Sequence, residues 1–291
     1  MKKIIAAAVA AAFVAPAFAA DVTLSGDVEY KYISAEDGAS FDSGDQDVTV
    51  TASEELANGW VVTASLELDG SEEGIDSDSS LAINMGMATV TIGDANDIAQ
   101  RMVDEKSDKA EHGGRSGEAA LHADASIDHT LSLTASPAEG LMVAVSKSTS
   151  VDDADATVID TTSYALQYSM MGATFGYSST EVEGFDENVT GMHFGYATGP
   201  ISLGYESFSN VGNVADDDGT NLGLAYSYGA GNLYVETGET KDASAGTDVK
   251  TTAMGVSYAI GNLNTYLEQN TVKESASADD DQTIVGVEYK F

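Results

Sequence analysis

The chain ends in TIVGVEYKF, Thr283–Phe291, and the reading of this stretch decides the fold. Val285, Val287, Tyr289 and Phe291 fall on one side of a strict alternation, and Gly286, Glu288 and Lys290 on the other. Period two is the pattern of a β-strand with one apolar face, and here it runs to the last residue. A terminus that makes no contacts frays, because ordering it costs backbone entropy without return. An aromatic end therefore predicts a final strand that is paired along its whole length.

The same pattern recurs upstream. In DVTLSGDVEYKYI, Val22, Leu24, Gly26, Val28, Tyr30 and Tyr32 alternate with Thr23, Ser25, Asp27, Glu29 and Lys31. In WVVTASLEL, Trp60, Val62, Ala64, Leu66 and Leu68 alternate with Thr63, Ser65 and Glu67, and SYALQYS, ATFGYSS, MHFGYA, ISLGY, LGLAYSY and MGVSYAI repeat it. Seven short joints, at 56–59, 85–86, 136–140, 170–172, 198–200, 229–232 and 261–262, carry the Gly, Asn or Pro that tight turns require. Between them lie eight longer acidic stretches, at 33–46, 70–78, 93–123, 149–159, 181–188, 209–219, 240–248 and 273–281. About sixteen strands result, with short turns at one end and long loops at the other.

Compartment and composition narrow the class. Met1-Lys2-Lys3, the apolar run Ile4–Val14 and the small-x-small Ala17-Phe18-Ala19 read as a secretory signal over residues 1–19, leaving a single domain over 20–291. Without Lys2 and Lys3, 10 basic residues stand against 48 acidic ones, a net charge of −38. Such a chain repels nucleic acid and anionic lipid head groups. The absence of cysteine removes disulfides and thiol chemistry. No later apolar run approaches the ~20 residues of a spanning helix. A secreted β-sandwich or β-helix would also alternate, but it would not sort its connections into long and short.

A strand that is apolar outside and polar inside fits a sheet with lipid on one face and water on the other. Such a sheet must close on itself, because lipid cannot satisfy an open edge. The expected fold is thus all-β, a transmembrane antiparallel barrel of about sixteen strands. Tyr30, Tyr32, Trp60, Tyr226, Tyr228, Tyr258, Tyr289 and Phe291 lie near strand ends, where aromatic girdles belong.

The segment ADVTLSGDVEYKY, the passage GMATVTIGDANDIAQRMVDE (Gly86–Glu105) and the C-terminal strand ending in Phe resemble the Gram-negative general porins, most closely those of the alphaproteobacterial type. The resemblance implies a homotrimeric sixteen-stranded barrel in the outer membrane of a Gram-negative bacterium. It implies contact with outer-membrane lipid and lipopolysaccharide, and passive diffusion of small hydrophilic solutes and cations without a cofactor. It also implies a C-terminal signal read by the outer-membrane assembly machinery, here Val285, Val287, Tyr289 and Phe291, and a third long loop folded into the lumen. A plugged structural or adhesive barrel and a substrate-specific channel are the alternative readings.

That third loop, Gly93–Ala123, is far longer than an ordinary connection. Asn96 or Asp97 can cap a short helix that sets Ile98 and Met102 against the inner wall and Asp97, Arg101, Asp104 and Glu105 toward water. Catalysis finds no support: His112, His122 and His129, near Ser116 and Asp124, lack metal-ligand spacing, and no G-x-S-x-G occurs. An outer-membrane lipase is the formal enzyme alternative. The acidic tips at 152–155, 216–218 and 279–281 match no EF-hand, although weak Ca²⁺ or Mg²⁺ binding there would offset their mutual repulsion.

The resemblance implies a cluster of Arg and Lys on the wall opposite an acidic third loop, and this chain departs from it. Inward positions are Asp27, Glu29, Lys31 and Glu67, then Glu206, Glu236, Glu268, Glu288 and Lys290. Arg101, Lys106, Lys109 and Arg115 sit in the loop instead. Carboxylates around a pore favour cations. A cation-preferring constriction of Glu29, Lys31, Glu67, Asp97, Arg101 and Asp104 is expected.

Overall fold

In the computed structural model, sixteen antiparallel strands close into one barrel in which every strand pairs with its sequence neighbours and the first pairs with the last. The structure describes residues 21–36, 38–71, 74–93, 102–103, 107–111, 129–152, 157–211, 217–242, 246–274 and 280–291. The strands are β1 (Asp21–Ala35), β2 (Gly38–Glu55), β3 (Val61–Ser71), β4 (Gly74–Asn84), β5 (Ala88–Gly93), β6 (His129–Ala138), β7 (Leu141–Asp152) and β8 (Thr157–Met170). They continue with β9 (Ala173–Val182), β10 (Val189–Thr198), β11 (Ile201–Ser209), β12 (Asp218–Ser227), β13 (Gly231–Asp242), β14 (Thr247–Ile260), β15 (Leu263–Glu274) and β16 (Asp280–Lys290).

Closure explains the aromatic terminus. Tyr289 lies opposite Val28, Val287 opposite Tyr30 and Val285 opposite Tyr32. Beyond the last strand residue, the backbone of Phe291 still exchanges hydrogen bonds with Gly26, at 2.9 and 3.0 Å. A side chain at Gly26 would run into the Phe291 ring and the Asp47 carbonyl, so this closing contact requires glycine.

The seven short joints are the turns at the end of the barrel where β1 starts and β16 finishes. Gly59 and Gly86 adopt φ of 81° and 93°, open mainly to glycine. Beside them the side-chain oxygens of Asn58 and Asn84 accept the amides of Trp60 (3.1 Å) and Gly86 (2.8 Å). At the opposite end the strands reach further than alternation indicates. The stretches 33–46 and 70–78 are mostly strand, since β1 runs to Ala35, β2 begins at Gly38, β3 runs to Ser71 and β4 begins at Gly74. Ser, Asp and Gly dilute the apolar period there, while the neighbouring ladder supplies the hydrogen bonds that hold the strand.

Apolar side chains stand outside: Leu24, Leu66, Leu81, Leu133, Leu166, Tyr177, Tyr205, Leu224, Val235, Leu267 and Val287 are all exposed. A sixteen-stranded barrel leaves an aqueous lumen, and the inner face is polar. Ser132 bonds Ser146, Thr130 bonds Ser148 and Ser163 bonds Thr180, each pair at 2.9 Å across the ladder. Strands β3–β7 contain no Phe, Tyr or Trp, whereas each strand from β8 to β16 carries at least one, those of β13 and β15 (Tyr234 and Tyr266) being buried on the inner face.

Candidate functional site: the lumen and its inward loop

The described residues between β5 and β6, 102–103 and 107–111, lie in the lumen. Met102 packs on Ala144 of β7 and Ala165 of β8, while fully buried Val103 packs with Val189, Phe208 and Val211. Ala144, Ala165, Val189 and Phe208 are inward positions of their strands, alternating with lipid-facing neighbours. Met102 thus lies on the inner wall as its spacing implies. Met102 and Val103 form a turn; the remainder of the expected helix, with Asp97, Ile98, Arg101 and Asp104, lies outside the described residues.

From residue 107 the loop is fastened by three glutamates with no exposed surface. Glu206 of β11 accepts the Ser107 amide at 2.7 Å and the Ser107 hydroxyl at 2.9 Å. Glu236 of β13 accepts the amides of Lys109 and Ala110, at 2.6 and 3.1 Å. Glu268 of β15 accepts the Glu111 amide at 3.1 Å and the Tyr234 hydroxyl at 2.9 Å. Alternate strands lie ~9.6 Å apart, and an extended chain covers ~6.6 Å in two residues. Side chains converge toward the axis of a barrel, so carboxylates on every second strand meet amides about every second residue. The Glu111 carboxylate completes the track by accepting the Asn264 side-chain amide at 3.0 Å.

Glycines on the intervening strands make room for this track. A Cβ at Gly223 of β12 would collide with the Ser107 carbonyl. At Gly255 of β14 it would collide with the Tyr234 hydroxyl, and at Gly286 of β16 with the Tyr266 ring. Tyr234 thus reaches over Gly255 to Glu268, and Tyr266 reaches over Gly286 to Glu29 of β1, which accepts its hydroxyl at 2.6 Å. A glutamate on every second strand and a glycine between is one device repeated from β11 to β1.

Glu206, Glu236 and Glu268 point inward as alternation indicates, and the described loop residues lie on them and bury them. The signal for their role is in the sequence as a repeat: Tyr-x-Glu at Tyr234–Glu236 recurs 32 residues later at Tyr266–Glu268.

Glu29 ends the ladder, held by the Tyr266 hydroxyl and Lys31 rather than by the described loop residues. A register shift between Val28 and Tyr30 in the β1–β2 pairing places Gly44 against its carboxylate, a bulge that re-aims the side chain. Lys31 lies 3.4 Å from Glu29, both with about a tenth of the side chain exposed (11% and 12%). Around the wall from here the inward positions are acidic. Asp27 pairs with Asp47 and Asp47 with Asp69, and Glu67 stands between Thr49 and Asp78. Glu67, Asp69 and Asp78 are exposed to the lumen. Asp47, Asp69 and Asp78 were missed because the flanking stretches read as loops. Lys290, opposite Asp27, pairs with Glu288 at 2.9 Å. Below Glu111, a cavity of about 470 Å³ bordered by Asn232, Asn264, Glu288 and Lys290 continues the lumen toward the short turns.

His112 and His122 lie outside the described residues, and His129 opens β6. Half of the acidic tip residues (153–155, 216 and 279) lie outside them as well; among the described residues no group of three His, Cys, Asp or Glu is arranged to hold a metal.

A closed barrel that is apolar outside and polar inside, with a loop lodged against one inner wall, defines the class of outer-membrane channel barrels. The chain matches the model of the Gram-negative porin family over residues 6–291 and belongs to that family. Among solved structures, a loop-deletion mutant of OmpT, an outer membrane protein of Vibrio cholerae, superposes with a TM-score of 0.76 at 14% identity, covering 94% of this chain and 100% of its own. An engineered mutant of the Rhodopseudomonas blastica porin gives 0.72 at 17% identity, covering 93% and 100%. A second mutant of that porin gives 0.70 at 17% identity with the same coverage. No curated protein sequence matches.

Proposed function

We propose that the protein is a general diffusion porin whose water-filled lumen passes small hydrophilic solutes and prefers cations. The observation that carries the preference is the division of the inner wall. From β7 to β15 the loop covers the wall, and across the lumen β1–β4 present Asp27, Glu29, Asp47, Glu67, Asp69 and Asp78 with Lys31 as the neighbouring base. A cation entering meets carboxylates spaced more closely than the ~8 Å screening length at physiological salt, and the net charge of the chain adds a potential of the same sign. Glu29, Lys31 and Glu67 on the wall, with Asp97, Arg101 and Asp104 on the loop, are the constriction residues of this reading.

Two further features belong to the proposal. Five adjacent strands, β3–β7, carry no Phe, Tyr or Trp on their outer face, which supports burial of that face between protomers of a homotrimer. Val285, Val287, Tyr289 and Phe291 supply the assembly signal once residues 1–19 have been removed. The test of the channel reading is the reversal potential of the refolded protein in a planar bilayer across a KCl gradient. A potential of cation-selective sign is expected. The anion-selective sign overturns the preference, and the absence of stable open steps overturns the channel and favours a plugged barrel.

A further inference from the structure

The recess below Glu111 is built differently from the acidic wall of β1–β4. Its volume of about 470 Å³ falls within the ~300–1,000 Å³ of small-molecule sites. Asn232 of β13 shares the inner face of its strand with buried Tyr234, and Asn264 of β15 with buried Tyr266. Glu288 and Lys290 of β16 lie on the face of buried Ile284, and Glu111 of the loop forms the roof. The turns at 229–231 and 261–262, with Ala259 of β14, close the lower end.

Most of the polar groups are held in place before any solute arrives. The Glu111 amide donates to Glu268 at 3.1 Å, and the Glu111 carboxylate accepts the Asn264 side-chain amide at 3.0 Å. Asn264 stands directly opposite Glu288 in the β15–β16 register, and Glu288 pairs with Lys290 at 2.9 Å. The Asn232 side chain has no bonded partner among the described residues. Its strand and that of Asn264 are two spacings, or ~9.6 Å, apart. The gap between them is wide enough for a sugar ring.

The mixture of groups selects the class of ligand. A carboxylate only accepts hydrogen bonds, an ammonium only donates them and an amide does both. An anion would meet two carboxylates in a lumen of the same sign, and a simple cation would leave the ammonium and the amide N–H groups unmatched. A neutral polyol matches all of them, because each hydroxyl both donates and accepts. The Gly and Ala residues of the lower end add an uncharged surface that suits the C–H face of a sugar ring.

We propose that this recess is a binding subsite for neutral sugars, in which Glu111 and Glu288 accept from hydroxyls, Asn232 and Lys290 donate to them, and Asn264 positions Glu111. The subsite rests on the open-channel reading above and adds a resting point to the diffusion path. Since Glu111 belongs to the inward loop, the subsite is complete only while the loop is lodged against the wall.

The experiment titrates sucrose against single channels of the refolded protein in a planar bilayer and follows the open-channel potassium current. A saturable fall is expected, beyond the linear fall given by polyethylene glycol of the same mass. Asn232→Leu keeps the size of the side chain and removes its hydrogen bonds, so the half-saturating concentration should rise about fivefold. Glu67→Gln on the opposite wall should shift the reversal potential and leave that concentration unchanged. A wild-type fall that matches polyethylene glycol, unchanged half-saturation in Asn232→Leu, or an equal rise in Glu67→Gln would each overturn the subsite. Should Asn232→Leu fail to refold, Glu288→Gln decides by the same readout, with a rise expected and no change overturning the subsite. Absence of open steps overturns the channel reading alone. Equilibrium dialysis of sucrose against the refolded protein then decides the subsite: weaker binding in the variant supports it, and no binding by the wild type overturns it.

Discussion

The inner walls at β11–β15 and at β1–β4 are built from the same acidic alphabet and put it to opposite uses. On the first, Glu206, Glu236 and Glu268 are buried and act as hydrogen-bond acceptors for a crossing backbone. On the second, Glu67, Asp69 and Asp78 face the lumen. Glu29 sits at the junction, the fourth glutamate of the ladder, with Tyr266 and Lys31 where the others have loop amides. A carboxylate is an electrostatic filter where water reaches it and a structural fastener where a peptide does. The residue type does not decide between them; what lies on top of it does.

The largest expected effect comes from removing the room the loop occupies. Gly223→Leu would push the Ser107 backbone off β12, and a wall that has lost its cover should leave a wider pore. Single-channel conductance should rise while heat-resistant gel migration of the barrel persists. Wild-type conductance in this variant would mean that the loop does not narrow the pore.

A smaller effect is expected from cutting the fasteners. Glu206→Ala with Glu236→Ala leaves the amides of Ser107, Lys109 and Ala110 without their acceptors. A buried donor left unsatisfied costs about 1–3 kcal/mol, so loop excursions should become about 5- to 150-fold more populated per anchor. Open-channel current noise reads this, and cation preference should hardly move, because these carboxylates meet no ions. A marked loss of selectivity would place them in the pore and erase the contrast between the walls.

The smallest effects separate residues of the open wall. Glu67→Gln should lower the reversal potential more than Glu29→Gln, since Lys31 at 3.4 Å already offsets the charge of Glu29. No change even in the combined Glu29→Gln, Glu67→Gln variant would remove both from the constriction.

Much of the fold is legible because a barrel strand must solve a local problem at every residue. Each outward side chain meets lipid and each inward one meets water, so alternation prints the sheet into the sequence. The terminal run from Thr283 to Phe291 even implies its own partner, since no edge survives in lipid. Where that pressure relaxes, near the long loops, Asp78 reads as a loop residue although it belongs to β4, and Asp47 and Asp69 border stretches that read as loops although β2 and β3 continue into them.

The sequence by itself determined the strand count, the closure of the barrel, the two faces of each strand and the inward direction of Glu29, Glu67, Glu206, Glu236 and Glu268. It could do so because period two is a property of neighbours along the chain. Only the tertiary structure decided which of those carboxylates are buried and which stay exposed on the inner wall. That depends on where the backbone of Ser107–Glu111 meets glutamates that follow its bonded residues by 99 positions and more. Alternation reports the side of the sheet on which a side chain stands; what lies over it is set by a loop path that no neighbouring residue records.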